Sequence, residues 1–366
     1  MATIGDALTG RDARRVHERL LDLAGRDLPP TELFARADDL LRTVIPFDAS
    51  GWLTTDPATG LATGVAMVTG VPEETAAELL EHEIIDPGMS SFAALARAAS
   101  PVAIQPGPDA ELRAPEARRR ELRSRHDFGP ELRAALALDG ALWGTVCLAR
   151  MTGEPGFTAA EARFVARIVQ PLAHAVRRSV LIETTARAPA TAGPGMLIVT
   201  GDGRIESATE PARAWLEELS GDLVHGDGDR LPAAVFTVAL RSLRIGADPH
   251  ASRVRLRTAA GSWLTVYASP LRGPDGVERA AVVIEPARRA EVAPVVAQAY
   301  GLSAREREVL ALVAQGLSID AIARRLVISL HTARDHVKRI QAKVRVTSRA
   351  ELVSKLYVEH DAPATA

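Results

Sequence analysis

The residues best suited to chemistry lie at positions 329–343, SLHTARDHVKRIQAK. Ala333, Val337, Ile340 and Val344 recur at i, i+4, i+7 and i+11. That spacing places them on one helical face, which must pack inward. The far side then presents His331, Asp335, Lys338 and Ala342, with Arg334 on its flank. These are groups that read base edges: Arg or Lys donates to guanine, Asp accepts from the cytosine amine, and Ala meets a thymine methyl. Thr332, Arg339 and Lys343 fall where phosphate contacts are expected. No other stretch offers a comparable constellation. There is no Ser–His–Asp elbow, no His-x-x-x-His pair on a helix and no convincing carboxylate pair. HGDGDR at 225–230 lacks the remaining calcium-loop ligands, and Gly201-Asp202-Gly203 is followed by no Gly-Lys-Ser/Thr, so both read as turns. An enzyme is not expected, and neither a metal nor a cofactor.

The elements around 329–343 must hold that helix in place. Ser303-Ala304-Arg305-Glu306 has the spacing of a capping box. The helix it opens buries Val309, Leu310 and Val313 and stops at Gly316, a residue suited to the left-handed conformation that ends helices. Ser318 caps a second helix with Ile322, Ala323 and Leu326, and Ser329 caps the third a few residues later. Two helices joined by so short a turn form a helix-turn-helix, and the small Ala323 allows close approach. Thr347 is expected to cap a fourth helix carrying Leu352, Val353, Leu356 and Tyr357.

The string LSAREREVLALVAQGLSIDAIARRLVISLHTARDHVKRIQAKVRVTSRAELVSKL resembles the LuxR-type four-helix DNA-binding domain. The capping box, the VAQGLS turn, the IARRL helix, the IS cap, T-x-R-x-H-V and K-V-x-V-x-S-R-x-E-L all fall at the family's spacing. The resemblance implies that the third helix enters the major groove. Arg334, Asp335 and Lys338 would then face bases, with Thr332 and His336 near the backbone. It also implies a homodimer on DNA through the fourth helix, here Leu352, Val353 and Leu356. Two positions depart from the family: Ala333 stands where Val is usual, and Arg345 near a usual Gly.

Charge agrees with that reading. Residues 301–360 carry 11 Lys+Arg against 6 Asp+Glu, a net of +5. The chain's total is −2 and Asp361 adds −1 to the tail, so residues 1–300 sum to −6. An acidic body with a basic end is one footprint of a nucleic-acid binder. All three lysines, Lys338, Lys343 and Lys355, lie in the basic segment. The single Cys147 excludes an internal disulfide framework and sits in an apolar strand, where an inert buried thiol is expected. No run reaches the ~20 apolar residues of a membrane span, and the N-terminus has no signal-peptide core. The cytoplasm is the expected compartment, with no membrane partner.

Two stretches divide the 366 residues: TTARAPATAGPG at 184–195, rich in Pro, Gly and Thr, and EPARRAEVAP at 285–294. Before the first come helices near 14–24 and 31–45, strands ASGWLTT and LATGVAMV, helices, the short strand PVAIQ, a charged helix at 115–125, and ELRAALAL-DG-ALWGTVCLAR. Asp139-Gly140 between apolar runs signals a two-residue hairpin. A long helix, 159–182, closes the segment. This order, with the ALWGTVCLAR strand and the GFTAAEARFVARIVQPLAHAV helix, resembles a GAF domain, a fold that binds small molecules or dimerises. Trp52 and Trp143 are read as core. The next stretch, MLIVTGDGRIESATEPARAWLEEL through VRLRTAAGSWLTVYASPL and VERAAVVIEPA, resembles a PAS core, with Thr209 where Asn is usual.

The expected architecture is therefore multidomain α+β. It comprises a GAF-like sensory domain at 1–184, a PAS-like domain at 194–286, and an all-α LuxR-type domain at 296–360. The order resembles a group of actinobacterial regulators. The expected function is a transcriptional regulator binding double-stranded DNA, with a small-molecule effector on the body and RNA polymerase as a further partner. Two alternatives differ in class. One is a ligand sensor whose helical tail binds a protein, and the other an enzyme on a GAF or PAS scaffold.

Overall fold

The computed structural model describes residues 10–85, 91–105, 114–181, 193–219, 231–245, 252–258, 261–273, 276 and 278–357. The chain divides into two compact units, one of Met1–Ser179 with Glu183–Pro286 and one of Ala287–Ala366 with Val180–Ile182. The 225–230 turn lies outside the described residues, as does most of the 184–195 stretch.

The first unit contains two five-stranded antiparallel sheets. In the first half, α1 (Arg11–Gly25) and α2 (Pro30–Arg42) precede β1 (Ala49–Thr55) and β2 (Ala62–Thr69). Then follow α3 (Glu73–Ile85), α4 (Phe92–Leu95), β3 (Val102–Ile104) and α5 (Ala114–Arg125). β4 (Phe128–Leu138), β5 (Ala141–Met151) and α6 (Ala159–Ser179) complete it. The strand order is β2-β1-β5-β4-β3. The β4–β5 hairpin pairs Leu138 with Ala141, and its two linking residues take positive φ, Asp139 at 51° and Gly140 at 76°. An Asp-Gly pair tolerates that geometry where β-branched residues do not. Trp52 and Trp143 are buried, as expected. The Trp52 indole N–H donates to the buried Asp38 carboxylate at 2.9 Å, so the ring's polar edge is satisfied inside the core.

The second half repeats the arrangement. β6 (Gly195–Thr200), β7 (Ile205–Ala208), α7 (Glu210–Glu218), α8 (Ala233–Ile245), β8 (Arg253–Arg257), β9 (Trp263–Arg272) and β10 (Glu278–Pro286) give the order β7-β6-β10-β9-β8. Val254, Leu256, Leu264, Val266, Val282 and Ile284 alternate inward along their strands. Thr209 immediately precedes α7, but its hydroxyl bonds Met196 and does not cap the helix.

The two halves meet in one apolar cluster, while the first half also keeps clusters of its own. Leu61, Ala62 and Ile84 of the first half pack in the same apolar cluster as Trp215, Phe236 and Leu264 of the second. One buried ion pair crosses the same seam. Asp56, fully buried, accepts from Arg255 three times, from backbone N, Nε and Nη2, each at 2.9 Å. A carboxylate so placed is favourable only while its cation is present.

The second unit is all helical: α9 (Arg289–Ala299), α10 (Ala304–Ala314), α11 (Ile319–Leu326), α12 (Leu330–Val344) and α13 (Arg349–Tyr357). The expected break at 285–294 is thus largely structured, since β10 runs to Pro286 and α9 begins at Arg289. The Glu291 side chain reaches back to the Arg288 N–H at 3.2 Å and closes the helix start. Ala297 and, more peripherally, Val296 and Tyr300 join the apolar core of α10–α13.

Removing the carboxylate takes from Arg255 the buried partner it contacts three times. Asp56→Ala is expected to cost about 3–5 kcal/mol in urea unfolding, with the spectroscopic signals of both halves lost in one transition. Separate transitions for the halves would contradict a seam that couples them.

Candidate nucleic-acid interface

The helices α10–α13 are positioned by caps that the chain supplies locally. Ser303 Oγ accepts the Glu306 N–H at 3.2 Å, while Glu306 accepts the Ser303 N–H at 2.7 Å, the reciprocal capping box. Ser318 and Ser329 likewise accept from the N–H groups of Ala321 and Thr332, at 3.2 and 3.0 Å. The fourth cap differs from expectation. Ser348, not Thr347, accepts the Glu351 N–H at 3.0 Å, and Glu351 in turn receives both the N–H and the hydroxyl of Thr347.

Three of these helices end alike. Gly316, Val327 and Arg345 all take left-handed φ, at 80°, 53° and 60°. In each case the next residue's N–H reaches back five positions: Leu317 to Leu312, Ile328 to Ala323, Val346 to Gln341. Gly316 meets the requirement without strain. Val327 and Arg345 meet it with a Cβ in place, and Val327 is also 90% exposed. The Arg at 345 therefore leaves the tight turn intact.

The rotation of α12 follows from its core. Ala333, Val337, Ile340 and Val344 are all buried. Together with Val309, Leu310, Val313, Ile322 and Ala323 they form one cluster. Ala323 faces α12 from α11 with a side chain small enough for close packing, as expected. Ala333, short by two methyls of a valine, is fully buried as well.

What remains outside is basic. His331, Arg334, Lys338 and Arg339 are exposed, and Thr332, Asp335 and His336 are half-buried. Arg334, Lys338 and Arg339 make no hydrogen bond or ion pair among the described residues. Their guanidinium and ammonium groups are open to an outside acceptor. Ser329 caps the helix and its hydroxyl also meets the Thr332 hydroxyl at 2.8 Å. Asp335 does not pair with Arg339. Its carboxylate lies 3.3 Å from His331 Nε2, one turn back.

Two expected roles change. Lys343 was expected at phosphate, but its ammonium donates to Glu306 at 2.6 Å and to the Gly301 carbonyl at 3.0 Å. Burial disfavours the Glu306 carboxylate, yet Lys343 and the Ser303 cap outweigh it and hold its pKa below the ordinary range. Lys343 thus ties α12 to the start of α10. The signal for this was the capping-box glutamate, which reading the box in isolation left without an outside partner. The apolar stripe of α13 was expected to meet a second copy. Leu352 and Leu356 are instead buried in the unit's own core, and of the three only Val353 keeps part of its surface. The reason is α9, which packs on α13 and covers it.

Residues 301–356 match the luxR family of bacterial regulatory proteins. This segment is a LuxR-family domain. Its sequence is similar to the monoamine regulon transcriptional regulator of Klebsiella aerogenes, 46% identical over 57 residues, which are 16% of this chain and 25% of that protein. It is also similar to the probable transcriptional regulatory protein NarL of Mycobacterium tuberculosis, 47% identical over 68 residues, 19% of this chain and 29% of that one. The chain thus spans little more than a quarter of the length of these curated relatives. Among solved structures, a GAF domain/HD domain protein from Geobacter sulfurreducens aligns over 45% of this chain and 99% of its own, at 19% identity and a TM-score of 0.32. A Vibrio cholerae VqmA–ligand–DNA complex aligns over 44% and 79%, at 19% identity and a TM-score of 0.21. The described body combines helices with antiparallel sheets, and the LuxR-family domain is all helical.

The left-handed valine of this LuxR-family domain gives a stability test. Val327→Gly removes a Cβ strained by about 1–3 kcal/mol, against a glycine entropy cost of about 0.5–1 kcal/mol. The variant is expected to be more stable by about 1 kcal/mol in urea unfolding, given that balance. Leu356→Glu should unfold the domain, since it buries a charge without a partner, whereas Val353→Glu should leave its circular dichroism unchanged.

Proposed function

We propose that the chain is a DNA-binding transcriptional regulator, with the first unit as its sensory body and α12 as its reading helix. The observation that carries this is the rotation of α12. Four buried side chains turn one face to the core. The opposite face bears Arg334 and Lys338 without internal partners, beside Asp335 at the half-buried margin. Near the N-terminus of such a helix, side chains meet base edges in the major groove. Arg334 and Lys338 suit guanine, and Asp335 suits the cytosine amine. Arg339, Thr332, His336 and the Ser329 end of the helix suit the phosphate backbone.

The family of the C-terminal segment supports the same reading, since the similar proteins are transcriptional regulators by description. Regulators of this kind act on DNA inside the cell, so the cytoplasm belongs to the proposal. No helix among the described residues is long and apolar enough to cross a membrane. Two copies on half-sites about one helical turn apart would suit a two-fold operator. With Leu352 and Leu356 committed to the core, Val353 is the α13 residue left for such a contact.

The test is a selection of bound duplexes from a random pool. Asp335→Ala should relax one base position in each half-site, worth about 1–3 kcal/mol of discrimination, without weakening non-specific binding. Lys338→Ala should lose specific affinity. Arg339→Ala should weaken all sequences alike and reduce the salt slope by about one unit. The same site selected by Asp335→Ala with the same stringency would show that α12 is rotated otherwise or that Asp335 reads nothing.

A further inference from the structure

A cavity of about 630 Å³ opens within the first unit between the first sheet, α3 and α8. That volume suits a small organic molecule. Its lining is mixed. Leu53, Leu79, Leu80, Ile84, Phe128 and Leu142 are apolar, while Arg119, Arg123, Glu131 and Cys147 bring polar groups to it. Thr237 and Arg241 of α8 also line it, so both halves of the body contribute.

The polar lining belongs to a buried cluster with an unbalanced charge. Glu131, fully buried, accepts from Arg119 at 2.7 and 3.1 Å and lies 3.3 Å from Arg123. Arg133 stacks on the Phe92 ring at 4.0 Å, pairs with Glu83, and lies 3.8 Å from Glu131. Glu83 also accepts the Phe92 N–H at 2.7 Å. The cluster therefore sets three guanidinium groups against two carboxylates, 3 − 2 = +1.

Among the described residues, neighbouring groups do not correct the imbalance. Burial opposes the charge on Glu131, but the arginines outweigh it and hold its pKa well below the carboxylate range. Burial also pushes the Cys147 thiol upward, with Glu131 adding to it, so this thiol stays protonated at neutral pH and supplies no negative charge. Arg97 and Arg241 also line the cavity.

Three donors of the cluster have no acceptor within hydrogen-bond distance. Arg119 Nη1, Arg123 Nε and Arg133 Nε are buried and make no hydrogen bond; Glu83 lies 3.8 Å from the first and Glu131 3.8 Å from the last. The side chains of Arg119 and Arg123 are 6% and 3% exposed. A buried guanidinium with an idle N–H and an excess charge is costly until an anion arrives. A planar carboxylate matches the guanidinium fork and supplies the negative charge the cluster lacks.

We propose that this cavity binds a small apolar molecule carrying a single carboxylate, its acid group on Arg119 and Arg123 and its body against Leu79, Leu80 and Ile84. Because α3 and α8 both wall the cavity, the bound acid would bridge the two halves of the body. As a signal input, this rests on the reading of the chain as a regulator. Binding itself does not.

The experiment is calorimetric titration of the full chain, without DNA, with octanoate, 4-phenylbutyrate and 2-naphthoate, each beside its amide. At least one acid should bind about tenfold or more tightly than its amide, a difference near 1.4 kcal/mol. Arg123→Met makes the cluster neutral and should abolish the preference for acid over amide. Leu79→Phe narrows the apolar wall without altering a charged residue of the cluster and should weaken acid and amide together, which keeps the test open if Arg123→Met does not fold. No acid binding more tightly than its amide, or a preference unchanged in Arg123→Met, would overturn the proposal. Duplex binding measured on the same samples separates the two readings, since DNA binding without acid binding sinks only this inference, and acid binding without DNA binding sinks only the regulator.

Discussion

Everything the C-terminal unit can do depends on the burial of Ala333, Val337, Ile340 and Val344 against α10, α11 and α13. An isolated helix of 15 residues is marginal in water, so tertiary packing of its apolar face holds α12 in shape. The same packing fixes which side chains point outward. Caps at Ser303, Ser318 and Ser329 set where each helix begins, and left-handed residues at 316, 327 and 345 set where three of them stop. With both ends defined and the rotation fixed, Arg334, Lys338 and Arg339 are displayed without a contact of their own. Their positions are a consequence of residues that never leave the core.

The charges of the unit divide into two jobs. Arg305 donates to the Leu326 carbonyl at 2.8 Å and Arg349 to the Leu317 carbonyl at 2.5 Å, joining α10 to the end of α11 and α13 to the turn after α10. Lys343 closes on Glu306. Part of the +5 seen in composition is therefore structural. The remainder, on the exposed face of α12, is what an anionic partner would meet. In the body the balance is reversed: Asp56 with Arg255 and Glu131 with its arginines bring charge inside, where each ion depends on its neighbours.

Much of this was legible in the sequence where a local rule decides the outcome. The α12 stripe, the capping box, the Asp139-Gly140 hairpin and the buried tryptophans each follow from spacing or turn chemistry, and the structure places them as expected. What was not legible depends on long-range partners. The pattern of α13 shows an apolar face but not that α9 covers it. Lys343 looked free because Glu306, 37 positions away, was already assigned to a cap. Val327 and Arg345 carry no local sign of a left-handed backbone, since glycine is the residue that announces it. Likewise the charged helix α5 carries no sequence sign of burial, yet Arg119 and Arg123 are buried. Their partner Glu131 lies on a strand whose neighbours are mostly apolar.

The central claim is that α12 displays a basic face which the fold does not need and DNA does. The direct measurement is the affinity of the full chain for duplex DNA across a salt series, for wild type and for the combined Arg334→Ala, Lys338→Ala, Arg339→Ala variant. The account predicts an unchanged circular dichroism spectrum and thermal midpoint, a steep loss of affinity at low salt, and a shallower salt slope by about one unit for each phosphate contact removed. A folded triple variant that binds duplex DNA with wild-type affinity and slope would contradict it.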